Sequence, residues 1–189
     1  MMPTRRGLLA AGTVAALLGT RKPGRARRAE RAAELGTLVP VSPPRPAPET
    51  PFATADGASR RIADYAGEAL VVNLWATWCA PCVAELPSLA ALARRLAAEG
   101  VLVLPVSSDR GGAKAVEAFY AAHAITGLPV LIDKDAALMH ALGVRGLPTS
   151  YVVDGAGRVV GQEEGGMDWN TAAAVDALRA LTGKRDRPT

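Results

Sequence analysis

The segment "NLWATWCAPC", residues 73–82, holds both cysteines of the chain, Cys79 and Cys82. Two thiols at this spacing can clamp a metal, lock a loop or exchange electrons with another disulfide. A structural zinc site takes four ligands, usually two such pairs or one pair with two closely spaced histidines. Here the two histidines, His123 and His140, lie seventeen positions apart. A purely structural bridge suits an exported protein, but closing so small a gap constrains little of the unfolded chain. A copper-carrying site would be expected to use wider cysteine spacing with a helper histidine; His140 reads better as a solvated helical side chain. Thiol redox chemistry is therefore the favoured reading, and no metal ligands are assigned.

That chemistry needs a position, and the flanking pattern supplies one. "ALVVNLWA" (Ala69–Ala76) is an apolar run of strand length, as in a strand buried on both faces. From Cys79 to Glu99 apolar residues recur at helical spacing through Val83, Leu86, Ala93 and Leu96. Cys79 thus closes a strand-to-helix turn, where free N–H groups and the macrodipole favour an anionic sulfur. Cys82 lies at i+3, within disulfide reach. One cysteine can attack a partner's disulfide and the other can resolve the mixed intermediate. Pro81 is tolerated in the first helical turn and stiffens the dithiol loop. Trp78 is expected as a partly exposed aromatic beside the sulfurs that shapes the docking surface, and Trp75 as core. Pro87 should kink the helix.

The remaining elements alternate. "VLVLPVSS" (Val101–Ser108) reads as a second buried strand, residues 111–123 as a helix, "LPVLID" (Leu128–Asp133) as a short strand, and residues 135–144 as a helix closed by Gly143. Residues 149–162 form a hairpin over Asp154–Gly157, and 168–183 a last helix starting near Asp168 or Asn170. A D-G turn within Phe52–Ile62 signals an N-terminal hairpin. The expected architecture is α/β, with a central mixed sheet flanked by helices. Residues 39–51, "VPVSPPRPAPETP", hold six of the fourteen prolines and read as a semi-rigid spacer. The expected division is a signal peptide or membrane anchor over 1–20, a basic then Pro-rich linker over 21–51, a domain over 52–183 and a tail over 184–189.

Charge argues against nucleic acid as a partner. Residues 1–35 carry eight Lys/Arg against two Glu, so residues 36–189 are net −2 although the whole chain is +4. The basicity belongs to the N-terminal arm. There Arg5 and Arg6 precede an apolar run from Gly7 to Gly19, of signal length and short for a membrane span. Arg5–Arg6 with Leu8 and Leu9 resembles a twin-arginine export signal; an ordinary export signal is the alternative. Six further Arg/Lys between Arg21 and Arg31 oppose translocation on that side, so cleavage or retention as an anchor stays open. The expected location is periplasmic, soluble or anchored to the inner membrane by this segment. An acidic domain without an exposed apolar repeat is expected to be a monomer.

Taken together, "VVNLWATWCAPC", Pro87, and "GVRGLPTSYVVDGAGRVV" resemble the TlpA/ResA-like thiol–disulfide reductases of the thioredoxin superfamily over residues 52–182. The resemblance implies a thioredoxin-like fold and a cis peptide at Leu147–Pro148 beside the sulfurs. It implies that Leu147, Pro148 and Thr149 present an extended edge to substrate, together with Trp78 and Pro81. Asn73 stands where cytoplasmic thioredoxins carry a buried acid. Glu85 stands where this branch carries a glutamate, able to raise the resolving thiol's pKa and to take or return its proton.

The implied activity is reduction of partner disulfides through Cys79 and Cys82, with no cofactor beyond that redox-active disulfide. The implied partners are envelope proteins such as apocytochrome c or copper-site proteins of respiratory-complex assembly, with a transmembrane thiol carrier as electron donor. The alternatives are a copper-binding or delivery protein of the same fold and an oxidising, disulfide-forming enzyme. A peroxide-reducing enzyme of the superfamily would need a P-x-x-x-T-x-x-C stretch, and the proline is absent.

Overall fold

The computed structural model describes residues 38–184. The expected signal or anchor, the basic part of the linker and the tail beyond Lys184 lie outside the described residues. The strands are β1 (Val39–Pro46), β2 (Phe52–Thr54), β3 (Ser59–Arg60), β4 (Ala69–Trp75), β5 (Val101–Ser107), β6 (Leu131–Ile132), β7 (Thr149–Val153) and β8 (Arg158–Glu164). The helices are α1 (Ala80–Leu96), α2 (Gly112–Ala122), α3 (Ala137–Leu142) and α4 (Ala172–Thr182). One sheet runs β1-β8-β7-β4-β5-β6-β2-β3. β4 pairs parallel with β5 and antiparallel with β7, which makes the sheet mixed.

β4 sits at the centre because every one of its residues is buried. Its side chains alternate between two layers, as strand geometry requires. Ala69, Val71 and Trp75 join the core that holds Leu86, Leu89 and Leu92 of α1 and Val175 and Leu178 of α4. Leu70, Val72 and Leu74 join the opposite core with Leu138 and Leu142 of α3. The mixed sheet covered on both faces is the expected α/β architecture. Trp75 is fully buried and stacks on Tyr120 at 5.7 Å between centroids.

The Pro-rich segment is where the structure departs from the sequence reading. Residues 39–46 are not a spacer outside the domain. They form edge strand β1, antiparallel to β8, with Val39 opposite Gln162 and Pro46 opposite Arg158. Leu38 before it is fully buried. Prolines lack a ladder donor, but on an edge strand the missing N–H costs nothing where it would face solvent. The pairing is irregular between Pro40 and Arg45, around the cis Ser42–Pro43 bond. Arg45 anchors the far end: it donates to the Leu142 carbonyl at 3.3 Å and lies 5.8 Å over the Tyr151 ring. The packed domain therefore reaches at least to Leu38, fourteen residues before the expected Phe52. The 52–62 hairpin forms as β2–β3 and closes the opposite edge through β6.

Smaller differences are local. α1 contains Pro87 and gives way at Ala97–Glu99 to a short 3₁₀ turn, within the span expected to be one helix. The strand expected over 128–133 keeps only Leu131–Ile132. α4 starts later than expected, at Ala172, because Thr171 accepts the Ala174 N–H and caps it.

Candidate active site

α1 begins where β4 ends, and Cys79 is its N-cap. The Cys82 N–H donates to Cys79 Sγ at 3.3 Å. A donor placed there stabilises negative charge on that sulfur once the bond is reduced. The cysteines are joined as a disulfide with a Cα separation of 5.3 Å. Cys79 keeps 6% exposure and lines a groove of about 1080 Å³, whereas Cys82 is fully covered. Trp78, at 73% exposure, stands on the groove rim with Pro81, and Leu147 lies in its wall.

The loop carrying Cys79 is tied down from β5. Asp109 accepts the Thr77 N–H at 2.9 Å and the Thr77 hydroxyl at 2.7 Å. The same carboxylate accepts the Ser107 hydroxyl at 2.6 Å. Sequence reading did not single out Asp109, because its partner Thr77 lies 32 positions upstream.

Leu147–Pro148 is cis. Pro148 lies one residue beyond the Leu74–Thr149 pair, at the end of β4 from which the cysteine loop departs. Thr149 does not offer a free edge, contrary to expectation. It is buried, pairs with Leu74 on one side and Glu164 on the other, and its hydroxyl donates to the Gly146 carbonyl at 2.7 Å. The Pro148 carbonyl accepts the Gly165 N–H. The groove surface there is made by Gly146 and Leu147.

Glu85 lies one helical turn after Cys82 and is buried, not a solvated helix charge. Asn73 donates to its Oε1 at 2.6 Å; the Met167 N–H and the Trp169 indole N–H donate to Oε2 at 3.2 and 3.3 Å. Burial pushes the Glu85 carboxyl above its ordinary value, those three hydrogen bonds pull it down, and the Glu163 charge adds to the rise. Asn73 also donates to Ser150 at 2.9 Å. Asn73, Ser150 and Glu163 form one row across β4, β7 and β8. Glu163 is buried and accepts the Gly166 N–H at 3.1 Å. Gly166 has φ +86°, and a Cβ there would sit 3.1 Å from Pro148 Cγ and 3.3 Å from Glu85 Oε2. The 163–169 turn is thus wedged between the proline and the carboxylate.

Ser88 closes this side, donating to the Glu85 carbonyl and accepting the Trp169 N–H. Glu85 faces a second, smaller cleft of about 450 Å³ that it shares with Pro81 and Gly166. Glu163, Met167 and Trp169 were missed at the sequence level; Met167 and Trp169 are revealed by hydrogen bonds to α1 across more than 80 positions, and Glu163 by its charge acting on Glu85 from β8. His140 lines the groove, and His123 stacks on Phe119 at 3.9 Å on α2. Among the described residues no group of three His, Cys, Asp or Glu could hold a metal ion.

This fold and this dithiol define a thiol–disulfide oxidoreductase of thioredoxin type. The Redoxin family profile matches residues 43–179, and the chain belongs to that family. It is 33% identical over 113 residues to the thiol-disulfide oxidoreductase ResA of Geobacillus thermodenitrificans, covering 60% of this chain and 64% of that one. Identity to the ResA of Bacillus thuringiensis subsp. konkukian is 30% over 119 residues, covering 63% and 68%. The match therefore spans about two thirds of these relatives' length. The exposed lipoprotein thioredoxin of Streptococcus pneumoniae superposes with a TM-score of 0.61 at 28% identity, over 71% of this chain and 100% of that one. Within its superfamily the chain is a ResA/TlpA-like protein.

Proposed function

We propose that the chain is an exported reductase of partner-protein disulfides, acting through Cys79 and Cys82. The observation that carries this reading is the asymmetry of the pair: Cys79 lines the groove and takes a backbone N–H, while Cys82 is fully covered behind it. Reduced Cys79 attacks as thiolate and forms a mixed disulfide, expelling one substrate sulfur as a thiolate that takes up a proton. Cys82 then gives its proton to the Glu85 carboxylate and attacks Cys79 Sγ. The second substrate thiolate leaves. The substrate gains two electrons and the Cys79–Cys82 disulfide is restored. Trp78, Pro81 and Leu147 shape the surface on which the substrate lies, and Pro148 holds the loop beside it. No further cofactor enters these steps.

The natural setting of such a reductase is the periplasmic side of the membrane, where the redox poise is oxidising and a transmembrane thiol carrier must supply electrons. The Arg5–Arg6 export pattern supports it. Apocytochrome c, or copper-site proteins of cytochrome oxidase, are the proposed substrates. The test is the reduction potential of the pair, measured by equilibration with thiol buffers. A value at or below roughly −200 mV fits a reductase, and one near about −120 mV reverses the direction of electron flow. In parallel, Cys82→Ser should accumulate a mixed disulfide with substrate and Cys79→Ser should not; full reducing activity in Cys79→Ser would refute the order of attack.

A further inference from the structure

The groove beside Cys79 carries a charge that the rest of the domain does not. Residues 36–189 are net negative. Yet Arg110, Lys134 and Arg145 all line this groove, against the single carboxylate of Asp135. All three cations are exposed. Arg145 is paired with Glu164 at 3.2 Å, with both side chains largely in solvent, so that pair neutralises little of the field. Arg110 and Lys134 make no ion pair with any described residue. Two of the three cations thus face the groove unpaired. The apolar part of the same surface is Leu147 and the exposed Trp78.

A low-dielectric cleft lined mostly by one sign of charge concentrates ligands of the other sign and raises their association rate. Its position decides what kind of ligand that is. Cys79 lines the same groove, so a substrate of the reductase seated there presents its disulfide to that sulfur.

We propose that this groove selects disulfide-bearing protein segments with acidic side chains flanking the cystine, drawn in by Arg110 and Lys134 and seated on Trp78. This rests on the reductase reading above and names its substrate class. The acidic remainder of the domain repels such segments, so they are admitted only at the groove.

The test uses the reduced full-length protein and two cystine peptides of one sequence, differing only in whether three flanking residues are Glu or Lys, with the neutral disulfide of 2-hydroxyethanethiol as reference. At low salt the acidic peptide should be reduced roughly tenfold faster than the basic one, and the gap should close by about 1 M salt. Arg110→Glu combined with Lys134→Glu should invert the preference. The same charge change at Lys114 and Arg60, exposed outside the groove, should leave the preference in place. Equal rates for the two peptides, or a preference for the basic one, with the neutral disulfide still reduced, would overturn the inference and leave the reductase reading standing. Failure to reduce any of the three would remove both.

Discussion

Asn73 and Glu85 meet across the interface of β4 and α1 at 2.6 Å, both fully or nearly fully buried. The strand thus presents a neutral donor to a carboxylate carried by the helix. This matters because burial raises the carboxyl's pKa, which makes its ionised form a stronger base for a neighbouring thiol proton. Replacing Glu85 with Gln should slow resolution of the mixed disulfide by roughly 100-fold, within the usual range for general acid–base groups. Quenched-flow trapping of the intermediate measures this directly.

The sign of the pH dependence follows from the same group. Glu85 has its folded pKa above its ordinary, unfolded value, so its contribution to stability is full below the unfolded pKa and is lost as pH rises through the folded one. Denaturant unfolding across that window should show the wild type losing stability relative to Glu85→Gln as pH rises. The resolution rate should rise over the same window, since the ionised carboxylate is the base. A parallel pH profile in Glu85→Gln would exclude Glu85 from proton transfer.

Glu163 offers a separate handle. Burial is the main reason that the Glu85 carboxyl is raised, with Glu163 adding like charge from β8. Glu163→Gln should therefore move the rising limb of the resolution rate to lower pH without removing it. A limb that stays in place would show that the Glu163 charge does not contribute to it.

Asp109 holds the cysteine loop through two bonds to Thr77 and one to Ser107. Asp109→Ala leaves the Thr77 N–H without its partner, at a cost of about 1–3 kcal/mol. That should lower Tm by several degrees. Thermal unfolding of the oxidised and reduced forms checks it, and an unchanged Tm in both would show that the clamp contributes nothing.

A chain begun at Phe52 should behave worse than one begun at Leu38. It loses β1, bares the β8 ladder and empties the place of Leu38. Truncating that side chain alone, Leu38→Ala, should cost about 2–5 kcal/mol. Equal unfolding midpoints for the two chains would contradict the placement of β1 in the domain.

The central strands, the helix-capping cysteine and the Leu147–Pro148 corner were legible because each is written in a short window: an apolar run, a C-x-x-C spacing, a G-L-P-T segment. β1 was not, since proline density argues for an extended spacer and nothing local says that β8 lies beside it. The Glu85 cage was half legible. Position and residue type marked Glu85, but its donors Met167 and Trp169 come from a loop more than 80 positions away, and turns carry no periodicity that points at a helix. Thr149 was misjudged for a related reason: the 149–162 hairpin is written locally, but nothing local says that β7 is the inner strand of that hairpin, paired with β4 on its other side.

The two outer strands of the sheet have a consequence for how a partner can be held. β1 contains Pro40, Pro43, Pro44 and Pro46, and β3 is two residues long. Neither offers an uninterrupted row of donors and acceptors for a foreign strand to zip onto. Strand addition, the route by which many proteins grip an extended peptide, is thus closed at both ends of this sheet. Recognition falls to the side chains around Cys79, so that a client engages only where its sulfurs can be reached, and unfolded neighbours find no template for stacking against the domain.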